Sequence, residues 1–357
     1  MSAAPVDWGL AERIAVTIAG DDGDGSRDPG GILGAERLRE RCSASLALVL
    51  AYARLDPAGP IPFGEAVDRA GWSRGALRTL RGFAEELETL GSMDVSLPGP
   101  LGRVARALLA AGTATEVGLA AGYAARRVLG QYNVALVGAK RPPRLVFVAP
   151  NIVHAASELR VDLERFARWV TLHETTHAVQ FVAAPWLREH LGELIRGLLR
   201  GAAQHTSFGE LARRVARDPR GAVSSFLRGD LAKALVGPEQ APALDRIQAA
   251  MTVIEGHAEH VMDGAAAGFV DDVAGLRRRL QARRSRRGPL EVMVGRLLGM
   301  DLKLRQYELG KAFCDAIVRQ AGTEGLNRIW AGPESLPTPE ELRAPRSWLE
   351  RIRLPAV

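Results

Sequence analysis

The stretch that most constrains this chain is TLHETTHAVQF, residues 171–181, because its two histidines can act together only on a helix. Four positions separate His173 from His177, so an α-helix places both imidazoles on one face, where they can reach a single ion. Glu174 would then project beside that ion, and apolar neighbours such as Trp169 can bury the rest of the helix. The alternative is an ordinary, partly buried helix whose histidines have other hydrogen-bond partners.

The order His-Glu-x-x-His is typical of zinc hydrolases. Two neutral imidazole nitrogens hold the metal, and a carboxylate that is not a ligand takes a proton from the attacking water molecule. We therefore predict His173 and His177 as ligands of Zn²⁺ and Glu174 as the general base. The class with a glycine and a third histidine further along the helix is excluded, because Gln180 and Ala183 occupy those two positions.

A third ligand must come from elsewhere, because a catalytic zinc site keeps three protein ligands and one open position. The segment TVIEGHAEH, residues 252–260, offers two glutamates on one helical face. We predict Glu255 as the third ligand and Glu259 as an outer carboxylate that orients a ligating histidine. His260 competes with Glu255: it could stabilise an oxyanion or take the place of Glu255 at the metal. His257 points to another side of the helix and is predicted to be structural.

A hydrolase also needs a hydrogen-bond donor for the tetrahedral oxyanion. The segment LKLRQYELGKAF, residues 302–313, carries Arg305 and Tyr307 in an otherwise apolar helix. We predict Tyr307 and His260 as catalytic residues of this kind, with Arg305 as a further candidate. The alternative for Tyr307 is structural, since a buried tyrosine usually only finds a hydrogen-bond partner for its hydroxyl.

The spacing of apolar residues is mainly helical, which predicts a mainly α fold with a small β-sheet (α+β). The HETTH helix is predicted to start near Val161, with Asp162 as its cap, and to run to about Ala183. Further helices are predicted over residues 6–19, 34–54, 73–90, 101–128, 246–267 and 289–321, with several more within 187–250.

Strands are predicted within residues 133–150, where two β-type runs, VALV and RLVFV, flank a turn that contains Pro142 and Pro143. A boundary near residue 130 would separate an N-terminal helical region, 1–130, from a catalytic region, 131–357. The first region carries no recognisable chemistry, whereas the second holds the sheet and the histidine-bearing helices.

Composition narrows the possible partners. The net charge of +6 is spread over 357 residues, and the basic run at 276–288, LRRRLQARRSRRG, has no interleaved aromatic residue for base stacking. We therefore expect a solvated basic face and no nucleic-acid partner. The most apolar long segment, 105–125, consists largely of alanine and glycine and contains Glu116, which favours a closely packed helix over a membrane span. With no basic region before the apolar part of the N-terminus and only two cysteines, the sequence predicts a cytoplasmic protein.

Several segments together resemble a bacterial family of zincin-like metallopeptidases, described as zinc hydrolases and associated with biosynthesis of the deazaflavin coenzyme. The resemblance covers nearly the whole chain. It is carried by VDWGLAERIA, VLGQYNVALVG, LVFVAPNIV, LHETTHAVQFVAAPWLREHL, IEGHAEHVMD and LRQYELGKAF. It implies a mostly helical zincin-like catalytic fold, metal binding by His173 and His177, the base role for Glu174 and, with less support, a ligand role for Glu255. Nothing in the sequence itself is typical of a deazaflavin site.

The leading hypothesis is therefore a zinc-dependent hydrolase, a metallopeptidase that acts on a peptide or another amide-containing substrate. A catalytically silent zincin-like scaffold, which binds metal or a partner without hydrolysing anything, is the alternative. The sequence does not indicate an oligomeric state.

Overall fold

The structure is a computed structural model that describes residues 6–20, 31–89, 99–205, 239, 241–285 and 300–352. Most of these residues form helices, as the apolar spacing predicts, and three short strands form a sheet, so the predicted fold class is confirmed. The longer helices are α1 Trp8–Ala19, α2 Ala35–Ala53, α3 Arg69–Thr89, α4 Gly99–Ala125, α5 Ala149–Leu159, α6 Leu163–Ala183, α7 Pro185–His205, α8 Ala241–Ala265, α9 Val273–Ser285 and α10 Met300–Asn327. The strands are β1 Gly64–Val67, β2 Gly130–Asn133 and β3 Arg144–Val148, and the C-terminal helices are α11 Pro339–Arg343 and α12 Pro345–Ile352.

The chain divides into two compact units, which interleave in sequence. The first comprises Met1–Glu40 and Phe63–Val170, and the second comprises Arg41–Pro62 and Thr171–Val357. The division does not fall at the predicted boundary near residue 130, because β2 and β3 pair with each other and β3 also pairs with β1, which groups residues 131–170 with the first unit.

The first unit contains the sheet, in the order β1-β3-β2, with β1 parallel and β2 antiparallel to β3. The predicted strand RLVFV is confirmed as β3, but the predicted strand VALV is wrong. The strand that pairs with β3 is GQYN, which directly precedes VALV in sequence. The ladder ends where Asn133 faces Arg144. Pro142 and Pro143 precede Arg144 and have no backbone N–H to extend the pairing, which explains the shift.

A close contact between α1 and α4 forms the core of the first unit. A Cβ atom added to Gly118 would lie 2.7 Å from the carbonyl oxygen of Ala11, and one added to Gly122 would lie 2.7 Å from that of Ala15. This proximity explains why α4 is rich in alanine and glycine. Among the described residues, no helix combines the length and the apolar character needed to cross a membrane.

The helix α6 starts close to where the sequence predicts. The side chain of Asp162 accepts a hydrogen bond of 2.8 Å from the backbone N–H of Arg165, which confirms the predicted cap. The helix ends at Ala183, as expected.

The second unit is built around the pair α8 and α10. Their backbones meet at Gly256 and Gly310, where a Cβ atom on Gly310 would lie 2.0 Å from the carbonyl oxygen of Thr252. The C-terminal segment completes this core, because the fully buried Trp348 packs edge-on against Phe313 at a centroid distance of 5.6 Å. The helices therefore place the residues around Glu255 in a rigid, closely packed setting.

Candidate metal centre

The second unit brings the three predicted metal ligands together. His173 and His177 lie one turn apart on α6, and Glu255 lies on α8. The Nε2 atoms of the two histidines are 3.2 Å apart. Oε2 of Glu255 lies 3.4 Å from Nε2 of His177 and 3.9 Å from Nε2 of His173. The side chains of His177 and Glu255 are each only 12% exposed, so the three donor atoms form a largely buried triangle.

The triangle has the dimensions of a zinc site. In a tetrahedral site with bonds of about 2.0–2.2 Å, neighbouring donor atoms lie roughly 3.3–3.6 Å apart. The edges of 3.2 and 3.4 Å match that spacing, and the third edge of 3.9 Å is slightly longer. Two imidazole nitrogens and a carboxylate oxygen are also a donor set that suits catalytic zinc. These residues could therefore hold a metal ion.

Each histidine of the triangle also has a partner at its outer nitrogen. Nδ1 of His177 lies 2.9 Å from Oε1 of Gln180, and Nδ1 of His173 lies 3.1 Å from the sulfur of Met262. Such contacts orient the rings so that both Nε2 atoms face the same point.

The electrostatics of the triangle favour a cation. Burial alone would lower the pKa of His177, but the adjacent Glu255 carboxylate, followed by the charge of Glu174 and the hydrogen bond to Gln180, raises the pKa to about 9. In the absence of metal, both ring nitrogens of His177 are therefore protonated at neutral pH. A metal ion would displace the proton on Nε2. Glu174 is itself buried, with 8% of its surface exposed.

Comparison with known proteins identifies the family. The family model described as zincin-like metallopeptidase matches residues 6–349, which is nearly the whole chain. The chain belongs to this family. A crystal structure from Chloroflexus aurantiacus, described as that of a candidate hydrolase with a novel fold, is similar over 98% of this chain and 99% of that one, with 28% identity and a TM-score of 0.69. No curated protein matches. The deazaflavin association remains an expectation, because neither similarity bears on it.

Glu259 does not have the place that the sequence predicts for it in this family member. It forms an ion pair with Arg277, which also binds Asp263 at 2.8 Å. The contacts at the outer nitrogens of His177 and His173 are instead with Gln180 and Met262. The helical repeat does put Glu259 near the face of Glu255, but the arginine of α9 draws its carboxylate away.

His260, predicted at the oxyanion or as a substitute for Glu255, has both ring nitrogens in other contacts. Nδ1 lies 2.7 Å from Oδ1 of Asp315, and Nε2 lies 3.2 Å from the hydroxyl of Tyr52. Five residues along a helix turn its side chain by about 140° from Glu255. Glu255 rather than His260 thus completes the triangle, and a role at the oxyanion stays a prediction.

His257 is buried beside the triangle without joining it. Its Nδ1 lies 2.9 Å from Nε2 of Gln180, and its ring packs edge-on against Trp330 at 5.1 Å. Burial, with smaller contributions from the charges of His260 and His177, lowers its pKa to about 3, so it is neutral at physiological pH. These contacts agree with the structural role predicted for it.

The remaining predicted residues, Tyr307 and Arg305, belong to α10, but their side chains lie outside the described residues. Their catalytic roles therefore stay predictions. Gln180 and Met262 were not predicted from the sequence as outer partners. Gln180 follows His177 by three positions and so faces the same side of the helix, a signal that could have identified it.

Proposed function

We propose that this protein is a zinc-dependent hydrolase that cleaves peptides or related amides. The observation that carries the proposal is the buried triangle of His173, His177 and Glu255, with Glu174 next to the first ligand in sequence. Membership of the zincin-like metallopeptidase family and the similarity to a candidate hydrolase support it.

The residues of the triangle would hold the ion, and Glu174 would move the protons. Zinc, when bound, supplies a Lewis acid that makes water a nucleophile near neutral pH and polarises the scissile carbonyl. Glu174 takes the proton from the attacking water molecule and returns it to the leaving amine. Because the carboxylate of Glu174 is buried and influences the pKa of His177, it lies where charge acts strongly on the site.

We further propose that nucleic acid is not a partner. Arg277, which belongs to the basic run 276–288, is engaged within the protein by Glu259 and Asp263. Its charge is thereby largely neutralised. Four other arginines of the run, Arg283, Arg284, Arg286 and Arg287, have side chains outside the described residues.

The deciding experiment compares wild-type protein with Glu174→Gln and with Glu164→Gln, a matched control that makes the same change on the same helix. Glu164 pairs with Arg168 and is not one of the ligands. We expect all three proteins to contain one zinc per chain by elemental analysis. Glu174→Gln should lose at least about 100-fold in turnover of a peptide library, whereas Glu164→Gln should cleave like wild type.

Two outcomes would contradict the proposal. Full activity of Glu174→Gln would remove the general base. A wild-type protein with stoichiometric zinc that cleaves no member of a broad peptide library would favour the catalytically silent scaffold.

A further inference from the structure

Gln180 is a fully buried amide in the turn of α6 that follows His177. Its Oε1 lies 2.9 Å from Nδ1 of His177. Its Nε2 lies 2.8 Å from the carbonyl oxygen of Ile254 and 2.9 Å from Nδ1 of His257. One side chain therefore connects three residues of two helices.

The hydrogen-bonding capacities of these groups fix where the protons lie. The carbonyl of Ile254 can only accept, so the amide group of Gln180 that faces it must be the NH₂. The amide oxygen then faces His177 and can itself only accept. Nδ1 of His177 must therefore carry a proton and donate it, which leaves Nε2 as the nitrogen that faces His173 and Glu255.

His257 fixes the amide from the other side. The second N–H of the Gln180 amide points at Nδ1 of His257, which must accept and therefore carries no proton. The ring of His257 is in turn held edge-on against Trp330. Rotating the amide by 180° would place its oxygen against the carbonyl oxygen of Ile254, which can only accept, so the observed orientation is the one that satisfies all three partners.

The same amide joins the two helices that carry the ligands. Ile254 directly precedes Glu255 and lies 74 positions after Gln180 in sequence. Gln180 thus holds one ligand through its imidazole and another through the neighbouring peptide group. A change at this residue should disturb both the proton position on His177 and the approach of α8 to α6.

We propose that Gln180 is a positioning residue that sets the tautomer and orientation of His177, with His257 fixing the Gln180 amide. Its metal-binding consequence rests on the proposed zinc function. The position of the proton on His177 does not, because Nδ1 carries a proton whether or not a metal ion lies at Nε2.

The test compares Gln180→Met with Gln180→Glu. Both variants lose the N–H donor to Ile254, but only glutamate keeps an acceptor for His177. We expect the zinc dissociation constant, measured by competition with a chelator, to rise about 10–100-fold in Gln180→Met and clearly less in Gln180→Glu, which loses the contact with Ile254 but keeps the acceptor for His177. Equal zinc affinities for the two variants would overturn the proposal.

Gln131→Met is the matched control for the loss of a structural glutamine. Gln131 accepts a hydrogen bond of 2.9 Å from the indole of Trp72 in the first unit, so this variant also loses a bond between two distant segments. We expect its zinc affinity to equal that of wild type. A loss as large as that of Gln180→Met would make the effect one of general destabilisation and would also overturn the proposal.

A second measurement does not require zinc binding or a folded variant. In wild-type protein, either zinc-loaded or metal-free in alkaline solution above the pKa of His177, where its imidazole is neutral, ¹⁵N NMR should show a proton on Nδ1 and none on Nε2. A bare Nδ1 would overturn the proposal even if the protein binds zinc. A wild-type protein that binds no zinc but shows this proton would contradict the proposed function and still support the role of Gln180.

Discussion

The two units each contain a pair of helices that meet backbone to backbone, yet among the side chains that the structure describes only the pair in the second unit carries ionisable groups in its core. In the first unit, glycines of α4 pack on Ala11 and Ala15 of α1, and the surrounding core is made of valine, leucine and alanine. In the second unit, glycines bring α8 against α10, and α8 also buries Glu255, His257 and His260. Close helix packing is common to both, so it does not by itself indicate a functional site.

What distinguishes the second unit is that a buried histidine and the partly exposed charged groups around it have specific partners. His260 contacts Asp315 and Tyr52, and Lys311 binds Asp263 at 3.0 Å and Asp315 at 2.6 Å. Burying charged groups is costly unless they are paired, so such a cluster constrains the sequence far more than an apolar contact does. Substitutions in the helix contact of the first unit should therefore affect stability alone, whereas substitutions around α8 should also affect metal binding.

The largest effect should come from Gly310→Ala, compared with Gly118→Ala in the first unit. The new Cβ atom would lie 2.0 Å from the carbonyl of Thr252 in the first variant and 2.7 Å from that of Ala11 in the second. We expect losses in the free energy of unfolding of about 3 kcal/mol or more and about 2 kcal/mol, respectively. In the folded fraction, zinc affinity should fall only for Gly310→Ala, because α8 carries Glu255. Chemical denaturation and chelator competition measure both, and equal zinc affinity in the two variants would remove the distinction.

Metal-free protein should lose stability in mildly alkaline solution. The folded state raises the pKa of His177 from 6.5 to about 9, so the stabilisation is complete below about pH 6.5 and disappears as the pH rises through 9. The loss should be on the order of 3 kcal/mol. Hydrogen exchange should report this loss of stability in α6 and α8. It should not report it in α1 and α4, which meet through glycines and alanines. Zinc-loaded protein should lack this transition, and an unchanged stability of metal-free protein over this range would contradict the assignment.

The smallest effects on stability should come from replacing single arginines, and they should differ between Arg277 and Arg81. Arg277 binds Glu259 and Asp263 and is 24% exposed, whereas Arg81 pairs with Glu85 on the surface and is 58% exposed. Arg277→Met should cost about 2 kcal/mol, because two partly buried carboxylates lose a partner, and Arg81→Met less than about 0.5 kcal/mol. Thermal unfolding at equal ionic strength provides the measurement. Similar costs would mean that the charges around α8 are no more important than those on the surface.

The candidate metal site was largely predictable because its geometry is local. The four-residue spacing of His173 and His177 determines their shared face, and the same helical rule selected Glu255 from the distant segment. The partner of Glu259 was not predictable, since Arg277 lies on another helix and its approach depends on tertiary packing. The contacts of His260 with Tyr52 and Asp315 likewise join residues far apart in sequence, without a local signal.

The sheet was harder to predict than the helices. The strand β1, GEAV, is too short and too polar to stand out from a loop, and it forms through its pairing with β3. The position of β2 depends on which backbone N–H groups are available opposite it, and the two prolines before β3 decide that.

The long interval between His177 and Glu255 has a consequence for how the chain is held together. Glu255 follows His177 by 78 positions, and the two cysteines, Cys42 and Cys314, are free and buried. An ion shared by these two ligands would close a loop of that length, and a covalent cross-link over the same span restricts the unfolded chain by about 4–5 kcal/mol. The bound ion would then be a reversible cross-link, so a chelator would both abolish hydrolysis and lower the stability of the second unit.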